Sequence, residues 1–458
     1  MDDSGQRLVN AHANWALQPL LRLLHAGLQA VDPEALVSHA LATDTNGVLL
    51  TTATGSTYAP WQRVRSVYVV GGGKAGVAMA HASQAVIGNR VAAGCVAVPR
   101  GTTKEEESRI TLVPTGHPYP DEGSRRAGRE IIAVLRGAGT HDLVISLVSG
   151  GASAMISLPN PAIPPAHEQR AIELLMNSGA GITEVNTVRR HLSQIKGGRA
   201  AQVAYPARVW NLILSDVPGD DLAAIGSGMF VPDPTTFADA LRVLDRRQVL
   251  HRVPLSVRSH LEEGVSGLHA ETPKRGDHIF DRVVTSVVGS NQIALHGIHK
   301  EADAMGIRRV RLLPGFLSGE AQTCAARLSQ ELLTLASTTP RGESALLIAG
   351  GETTVTVTGA GSGGRNQELA LATVRELHGH HEIALLTAGS DGVDGPTDAA
   401  GAYVDGWTHG RGERLGMRLG DHLTRNDSYH YFAGLNDLVM TGPTGTNVAD
   451  IALGLVRR

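Results

Sequence analysis

The chain has 458 residues, of which 42% are hydrophobic, 3% aromatic and 19% charged, and its formal net charge is −3. This length predicts two or three domains with buried cores, and the composition is ordinary for a soluble protein. Because Lys and Arg are not in excess and aromatic residues are scarce, the composition argues against a nucleic-acid-binding protein.

Signals of export and of membrane insertion are absent from the sequence. The N-terminal MDDSGQRLVN has neither the charged nor the apolar region of a signal peptide, and no run of about 18 apolar residues predicts a membrane span. The cysteines, Cys95 and Cys324, lie too far apart in sequence for a C-x-x-C motif and indicate a reducing environment. We therefore expect a cytoplasmic protein.

Helical and strand patterns alternate along the first half of the chain. Leucines at three- and four-residue spacing predict helical structure over residues 8–42. Further helices are predicted at 75–86, 122–138, 165–179 and within 185–204, where the helix should stop near Gly197 and Gly198. Strands are predicted at 66–70, 94–99, 110–114, 142–149 and 208–215. This βαβα alternation predicts a doubly wound parallel sheet.

A polar stretch at 254–280 predicts the crossing into a second domain, so we expect domains at 1–260 and 261–458. Strands are predicted there at 281–290, 310–314, 345–351 and 383–392. Residues 353–359 alternate with period two, as a half-exposed strand does. The second domain should therefore be mixed α/β with a hairpin.

The most conspicuous motif is VVGGGKAG, at the junction of a predicted strand and helix. Gly71, Gly73 and Gly76 match the dinucleotide fingerprint G-x-G-x-x-G. The acidic residue that should follow about 20 positions later is missing, and Arg100 stands near that place, which could suit NADP. Amides at a helix N-terminus attract an anion, and Lys74 adds positive charge. The alternative interpretation is a tight strand-to-helix turn that carries a surface lysine.

A second glycine turn follows the strand predicted at 142–149. Ser149, Gly150 and Gly151 end that strand, and Ser153 opens the next segment. Successive amides in such a turn form a nest that fits a carboxylate or a phosphate. A glycine turn with polar decoration would have the same sequence.

Two aspartates follow the strand predicted at 208–215. Asp216 and Asp220 lie just beyond its carboxyl end, which is where ligands bind in open α/β sheets. Carboxylates there suit Mg²⁺, which takes one or two of them together with phosphate oxygens.

Glycines also precede an arginine in the second half of the chain. Glu352 follows one glycine pair, and Arg365 follows Gly363 and Gly364 at the start of a predicted helix, where it could bind phosphate or carboxylate. The aspartates in 387–406 match a calcium loop too poorly to predict calcium. A last glycine-rich loop at 441–447 is predicted to precede a helix.

These motifs resemble, in the same order, those of the glycerate 2-kinase family, and the resemblance extends over residues 15–455. The matching segments are VVGGGKAG, SGGASA, EVNTVRRHLSQIKGGRAA, LSDVPGD, SGM-x-x-PDPTT, GSN, GGETTVTVTGAGSGGRNQELALA, GSDGVDGPTDAAGA and TGPTGTNVADI. The later half resembles the family's MOFRL domain, at about 343–455.

The resemblance implies a fold and an activity. The fold would be a Rossmann-like doubly wound parallel-sheet N-terminal domain and a second mixed α/β domain, with the active site in the cleft between them. The activity would be the phosphorylation of D-glycerate at the 2-hydroxyl group, with ATP and Mg²⁺. We also expect a monomer or a homodimer, and the composition and the lack of a long apolar run predict that neither nucleic acid nor a membrane is a partner.

The resemblance also implies roles for single residues. Lys74 and Arg365 would neutralise the transferred phosphoryl group, and Asp216 would either activate the hydroxyl group or hold Mg²⁺. The full assignment is catalytic Lys74, Arg365 and Asp216; substrate-binding Ser149, Gly150, Gly151 and Ser153; cofactor-binding Gly71, Gly73, Asn291 and Glu352; metal-binding Asp216 and Asp220.

The chain departs from the family at two positions that bear on substrate preference. The family usually has Gly where this chain has Ala152 and Pro where it has Met229. The first change narrows the allowed backbone angles, and the second frees them.

Two other functions stay open at this point. One is an NAD(P)H-dependent hydroxypyruvate reductase, favoured by the glycine fingerprint and Arg100. The other is a sugar-phosphate-binding regulator without catalysis. The residues alone do not separate the 2-hydroxyl from the 3-hydroxyl group of glycerate as the acceptor.

Overall fold

The computed structural model describes residues 15–102 and 108–458; the predicted helical residues 8–14 lie outside them. The helices are α1 Leu17–Ala30, α2 Pro33–Ala40, α3 Gly76–Ile87, α4 Glu122–Gly137, α5 Ala152–Met155, α6 Pro165–Asn177, α7 Ile182–Leu192, α8 Arg199–Ala204, α9 Phe237–Arg246, α10 Leu255–Val265, α11 Asn291–Ala304, α12 Ala321–Thr338, α13 Arg365–Thr373, α14 Thr408–Arg414, α15 Leu419–Arg425 and α16 Ser428–Leu435. Short 3₁₀ turns span Gly88–Arg90, Pro218–Asp220, Ile225–Ser227 and His278–Arg282.

The strands form three sheets. They are β1 Leu41–Thr43, β2 Gly47–Thr52, β3 Gly55–Pro60, β4 Ser66–Gly72, β5 Val91–Pro99, β6 Ile110–Thr115, β7 Asp142–Val148, β8 Arg208–Leu214, β9 Val283–Gly289, β10 Arg309–Leu312, β11 Leu317–Glu320, β12 Ser344–Thr354, β13 Ile383–Gly389, β14 Gly401–Asp405, β15 Leu438–Val439 and β16 Asp450–Arg457.

The compact unit Pro33–Gly289 is built on a six-stranded sheet in the order β6-β5-β4-β7-β8-β9. All its neighbouring strands pair in parallel, which confirms the Rossmann-like prediction. The strand order changes direction between β4 and β7, and ligands of such sheets bind outside the carboxyl ends of the strands at that point. A small antiparallel sheet, β1-β2-β3, belongs to the same unit.

The sequence explains why this sheet lies in the middle of its unit. Every residue of β7 is buried, as its unbroken apolar run predicted, and it lies between β4 and β8. Helix α4 begins at a capping box, in which the Asp121 side chain accepts the Ser124 amide and Ser124 Oγ accepts the Asp121 amide. Helix α7 ends at Leu192, earlier than predicted, and Gly197 and Gly198 precede the separate helix α8.

The strand predicted at 281–290 is present but belongs to this sheet, not to the second domain. Strand β9 pairs in parallel with β8, and Ile213 lies opposite Val287. The compact unit therefore continues through the polar stretch at 254–280 as far as Gly289.

The other unit contains the described residues up to Asp32 together with Ser290–Arg458. Its seven-stranded sheet has the order β10-β12-β16-β13-β14-β15, and β11 also pairs with β12. Parallel pairs (β10 and β11 with β12) and antiparallel pairs (β16 with β12 and β13) occur together. This confirms the predicted mixed α/β architecture.

Helix α1 packs on α11 in this unit, although the two helices are far apart in sequence. A Cβ atom on Gly27 would lie 2.7 Å from Ile298 Cγ1, so the helices meet closely, and Arg22 donates to Glu301. The two units therefore have different bounds from the domains predicted at 1–260 and 261–458.

Two local predictions in this unit were wrong. Residues 355–358 are not a strand, because their amides bond to side chains instead of a neighbouring strand: Thr356 donates to Glu320, and Thr358 to Asn426. The loop at 441–447 precedes strand β16 rather than a helix. Strand β16 is held between β12 and β13, and its apolar residues are buried on both faces.

Within the residues that the structure describes, no helix is both long enough and apolar enough to cross a membrane.

Candidate active site

The lysine loop and the serine–glycine turn meet where the strand order changes. Lys74 follows β4, Ser149 follows β7, and these strands are neighbours. The Lys74 amide donates to Gly150 O at 2.8 Å, and the Ala75 amide donates to Ser149 Oγ at 3.1 Å. The structure thus brings Lys74 next to the predicted anion nest, as the sequence alone could not show.

The first glycines of this loop have a packing role. Gly71 and Gly73 have φ of +151° and +132°, which other residues rarely adopt. A Cβ atom would lie 1.9 Å from Leu147 O at Gly71 and 2.2 Å from Ser149 Oγ at Gly73. These glycines allow the two strand ends to approach, and their predicted part in cofactor binding stays a prediction.

Asp216 follows β8, the next strand of the sheet beyond β7. It is partly buried, and Ser215 before it is anchored by its amide, which donates to Gly289 O at 2.8 Å. Asp220 lies in the following 3₁₀ turn, in a left-handed conformation with φ of 55°. Three adjacent parallel strands therefore end at Lys74, Ser149 and Asp216.

Ser153 leads into a polar network that the sequence analysis missed. Its Oγ lies 2.8 Å from Ser227 Oγ, and Ser227 donates to Asn186 Oδ1 at 3.0 Å. Asn186 Oδ1 also accepts from Arg189 Nη1 at 3.0 Å. Asn186 and Arg189 lie on α7, within the segment EVNTVRRHLSQIKGGRAA, which carried the resemblance but was given no role.

The predicted residues of the other unit cluster around Asp450, a residue that was not predicted. Arg365 donates to both carboxylate oxygens of Asp450, from Nε at 2.6 Å and from Nη2 at 2.9 Å. Its Nη1 lies 3.0 Å from Glu352 Oε1. The pKa of Asp450 is nevertheless raised, because its burial outweighs the attraction of Arg365.

The side chain of Asn291 contacts the same segment by donating to backbone carbonyl groups. Its Nδ2 donates to Val448 O at 2.8 Å and to Asp450 O at 3.0 Å. A Cβ atom at Gly350 would lie 1.7 Å from Asn291 Oδ1, so this glycine makes room for the amide. Asn291, Glu352 and Arg365 are thus held together. The only sequence signal for Asp450 was its place in the matching segment TGPTGTNVADI.

A second carboxylate sits at the start of α13, below Arg365. Asp394 accepts the Asn366 amide at 3.0 Å and the Gln367 amide at 2.8 Å, and so caps the helix. Burial raises the pKa of Asp394 to about 6, although these amides oppose the shift and nearby Asp450 adds to it. Arg365 is therefore surrounded by carboxylates rather than presented as a lone cation.

The described residues contain no group of three or more His, Cys, Asp or Glu side chains that could hold a metal ion. Proteins commonly hold Mg²⁺ with one or two carboxylates together with oxygens of the ligand. Asp216 and Asp220, which are oxygen donors near a strand end, suit that kind of site.

Arg100, the arginine that favoured NADP, forms an ion pair within the protein. Arg100 donates from Nε to Asp121 Oδ2 at 3.0 Å and also from Nη2 to the same oxygen. Asp121 is the cap of α4, so Arg100 contributes to a helix terminus. With Gly71 and Gly73 explained by packing, the two sequence features that favoured a reductase have structural explanations.

Two family models match the chain. The model described as "Domain of unknown function (DUF4147)" matches residues 19–262, and the model described as "MOFRL family" matches residues 345–450. The two models together cover most of both halves of the chain.

Known relatives match over most of their own length. The chain is 36% identical over 438 residues to the glycerate 2-kinase of Pyrococcus horikoshii, covering 95% of this chain and 96% of the relative. It is 37% identical over 392 residues to the D-glycerate 2-kinase of Thermotoga maritima, covering 85% and 90%.

A solved structure agrees with these relatives. The crystal structure of glycerate kinase from Thermotoga maritima matches with a TM-score of 0.82 at 33% identity, covering 96% of this chain and 99% of that chain.

Proposed function

We propose, since the chain belongs to the glycerate 2-kinase family, that it transfers the γ-phosphoryl group of ATP to the 2-hydroxyl group of D-glycerate. The oxygen–phosphorus bond to ADP breaks, the bond to the hydroxyl oxygen forms, and the hydroxyl proton is released. The products are 2-phosphoglycerate and ADP.

One observation carries this proposal beyond the family. Three adjacent parallel strands end at a lysine, an anion nest and an aspartate, at the point where the strand order changes. Phosphoryl transfer depends mainly on positioning and charge neutralisation. These groups are the ones that such a transfer needs: Lys74 for the charge, Ser149–Ser153 for an anion and Asp216 for the hydroxyl group or a metal.

Each group has a definite task in the proposed reaction. Within the Ser149–Ser153 turn, the Ser149 amide donates to Gly72 O and the Ala152 amide to Ser149 O, so the carboxylate of glycerate is assigned to the amides of Gly150, Gly151 and Ser153. This contact fixes the 2-hydroxyl group relative to Lys74. Lys74 neutralises the charge of the phosphoryl group as it is transferred. In the other unit, Arg365 also acts on phosphate, and Asp450 holds its guanidinium group in one orientation.

Asp216 has two possible tasks, which exclude each other in a single step. It either accepts the proton of the 2-hydroxyl group or, with Asp220, holds Mg²⁺. Bound Mg²⁺ would supply positive charge to the phosphate oxygens of ATP. An Asp216→Asn variant whose rate recovers at high Mg²⁺ concentration would favour the metal role, and one that does not recover would favour the base role.

The experiment that tests the proposal is ³¹P NMR of the purified protein with D-glycerate, ATP and Mg²⁺. We expect a 2-phosphoglycerate resonance that grows as ATP falls. The Lys74→Ala protein is the matched control, because it should show the fold of the wild type and little product.

The other outcomes have definite meanings. A 3-phosphoglycerate resonance would keep the kinase and contradict the 2-hydroxyl acceptor. No phosphoglycerate, with a folded protein, would contradict the kinase. A cytoplasmic location and the choice between monomer and homodimer remain predictions that this experiment does not address.

A further inference from the structure

A cavity of about 150 Å³ lies beside the Ser149–Ser153 turn, within the unit Pro33–Gly289. Its wall includes charged residues from α6, α7 and the segment after α7, namely Glu168, Arg189 and Lys196. Apolar side chains, Pro118 and Ile172 among them, complete it. The reaction described above uses none of these residues.

Lys196 is the most unusual member of this wall. Only 1% of its surface is exposed, and its Nζ donates to Ser153 O at 2.7 Å. Burial lowers the pKa of Lys196 to about 7, with Glu168 opposing the shift and Arg189 adding to it. A lysine is seldom fully buried unless a partner of opposite charge stabilises its ammonium group. An anion bound beside Lys196 would therefore account for its position.

Arg189 supplies a second cation to the same wall. Burial lowers its pKa, and its Nη1 donates to Asn186 Oδ1 at 3.0 Å. Asn186 is bonded through Ser227 to Ser153 Oγ. Arg189 is therefore connected to the Ser153 hydroxyl group through side chains, and Lys196 is bonded directly to the Ser153 backbone carbonyl.

The charges along the wall leave a surplus of positive charge. Arg125 lies 2.8 Å from Glu122, and Glu173 lies 3.7 Å from Arg170, so these lining residues already have partners of opposite charge. Glu168 accepts from Ser157 Oγ at 3.1 Å and remains as the one carboxylate facing two cations. A monoanion bound beside Lys196 and Arg189 would favour the charged form of Lys196, which burial opposes.

Residues of the cavity wall approach the predicted anion nest at two points. Ser153 O, in the nest, is the acceptor of Lys196. On the other side, a Cβ atom on Gly151 would lie 3.0 Å from His117 Cδ2, and the next residue, Pro118, lines the cavity. An anion held by the nest amides would therefore be close to the buried cations.

We propose that Lys196 and Arg189 bind the carboxylate of the small hydroxy acid that accepts the phosphoryl group. This inference rests on the proposed kinase function and adds two specificity-determining residues to it. The nest amides orient the carboxylate, and the two cations neutralise its charge where water has little access, which strengthens the attraction. The hydroxyl group is then left pointing away from the cations.

The test measures binding and turnover separately. Calorimetric titration of D-glycerate into the protein without ATP should give a Kd that is about 10- to 100-fold weaker for Lys196→Met and for Arg189→Met. The KM for ATP should stay within about threefold of the wild type. The far-UV circular dichroism of each variant is compared with the wild type before titration.

Matched controls remove a half-buried cation elsewhere in the same unit. Lys274→Met removes an ammonium group that donates to Thr235 O, and Arg199→Met removes a guanidinium group that donates to Ala270 O at 3.2 Å. Neither residue lines the cavity, so D-glycerate should bind to both variants as it does to the wild type.

A third variant keeps both cations and therefore covers the case in which their loss prevents folding. Met176 lines the cavity and is 52% exposed, so Met176→Trp should fold normally and narrow the entrance. We expect weaker D-glycerate binding in this variant too, with the KM for ATP unchanged.

The failure of this inference is distinct from the failure of the proposed function. Unchanged D-glycerate affinity in the folded variants would overturn the inference while the wild type still made phosphoglycerate. A wild type that binds D-glycerate but makes no phosphoglycerate would overturn the kinase, and weaker binding in Lys196→Met would still support the carboxylate site. A wild type that does not bind D-glycerate would overturn the inference.

Discussion

Arg365 and Asp450 form a two-bond ion pair at the start of α13, with Nε 2.6 Å from Oδ2 and Nη2 2.9 Å from Oδ1. Arg365 follows a glycine loop and Asp450 begins β16, so the pair joins segments 85 residues apart. The parallel bonds fix the plane of the guanidinium group. The arginine that was predicted to act on phosphate is therefore held by a carboxylate that was not predicted at all.

This pair predicts different costs for its two members. Arg365→Ala should lower kcat by about 10²–10⁴, because the positive charge that stabilises the phosphoryl group is removed. Asp450→Asn keeps the arginine but frees its orientation, so we expect a loss on the order of 10². Steady-state kinetics with ATP and D-glycerate measures both. A kcat near that of the wild type for Asp450→Asn would contradict the positioning role.

The unfolding free energy distinguishes the structural contribution of the Arg365–Asp450 pair from its contribution to catalysis. Arg365→Ala leaves the buried Asp450 without its partner, which should lower the unfolding free energy by about 1–3 kcal/mol. The loss should be no larger, because Arg365 is one-third exposed and solvent already screens the pair. Arg365→Ala/Asp450→Asn should recover part of that stability and none of the activity. The exposed pair Arg309–Glu343 is the control, and Arg309→Ala should cost less than about 1 kcal/mol.

Lys74 should matter for turnover and not for folding. It follows β4 in a loop held by backbone bonds, such as that from its amide to Gly150 O. Lys74→Ala should therefore lower kcat by about 10²–10⁴ and leave the urea midpoint nearly unchanged. The exposed Lys300→Ala is the control and should alter neither. A Lys74→Ala enzyme within about twofold of the wild type would exclude the proposed role.

The glycines of the same loop should show the opposite behaviour. At Gly71, φ is +151° and a Cβ atom would lie 1.9 Å from Leu147 O, so Gly71→Ala must displace β4 from β7. We expect a loss of more than about 3 kcal/mol or no folded protein.

Gly88 offers the matched control for that substitution. Its φ is +60°, but nothing lies within 4 Å of a Cβ atom there. Gly88→Ala should therefore cost only the backbone strain of about 1–3 kcal/mol, because φ of 60° with ψ of −135° is a conformation that residues other than glycine rarely adopt. Equal losses for the two variants, measured by urea denaturation, would show that the contact with β7 is unimportant.

Lys196 predicts how stability changes with pH. The pKa of Lys196 in the folded chain, about 7, lies below the usual lysine value of 10.5. Between these values the unfolded chain binds more protons, so this residue makes stability rise with pH from about 7 to 10.5. The cost of burying the charged ammonium group, with Glu168 and Arg189 beside it, is complete below that range.

Lys196→Met should remove this cost. At pH 6 the variant should be more stable than the wild type by an amount on the order of 1 kcal/mol or more, after the loss of the bond to Ser153 O. The difference should shrink as the pH rises above 7. Parallel curves of unfolding free energy against pH for the two proteins would contradict the buried charge. Greater stability with poorer binding of glycerate would indicate that the charge is kept for function.

Much of the first sheet and its turns could be predicted from local pattern alone. Apolar runs such as that of β7 and the glycines after β4 identify strands buried on both faces and the turns that follow them. Because the carboxyl ends of parallel strands lie at one edge, the pattern places Lys74, Ser149 and Asp216 at the same edge of the sheet, but not next to one another. The resemblance added the reaction and the remaining residue roles.

Tertiary structure decided the partners that lie far apart in sequence. Pairing of β9 with β8, packing of α1 on α11 and the bonds from Arg365 to Asp450 each join distant segments. Periodicity reports which face of an element is buried but not what covers it. The burial of Lys196 has the same origin, because a lysine in a polar segment reads as exposed until surrounding helices enclose it. Local sequence thus determined the elements and their turns, and only long-range packing determined which charges those elements bring together.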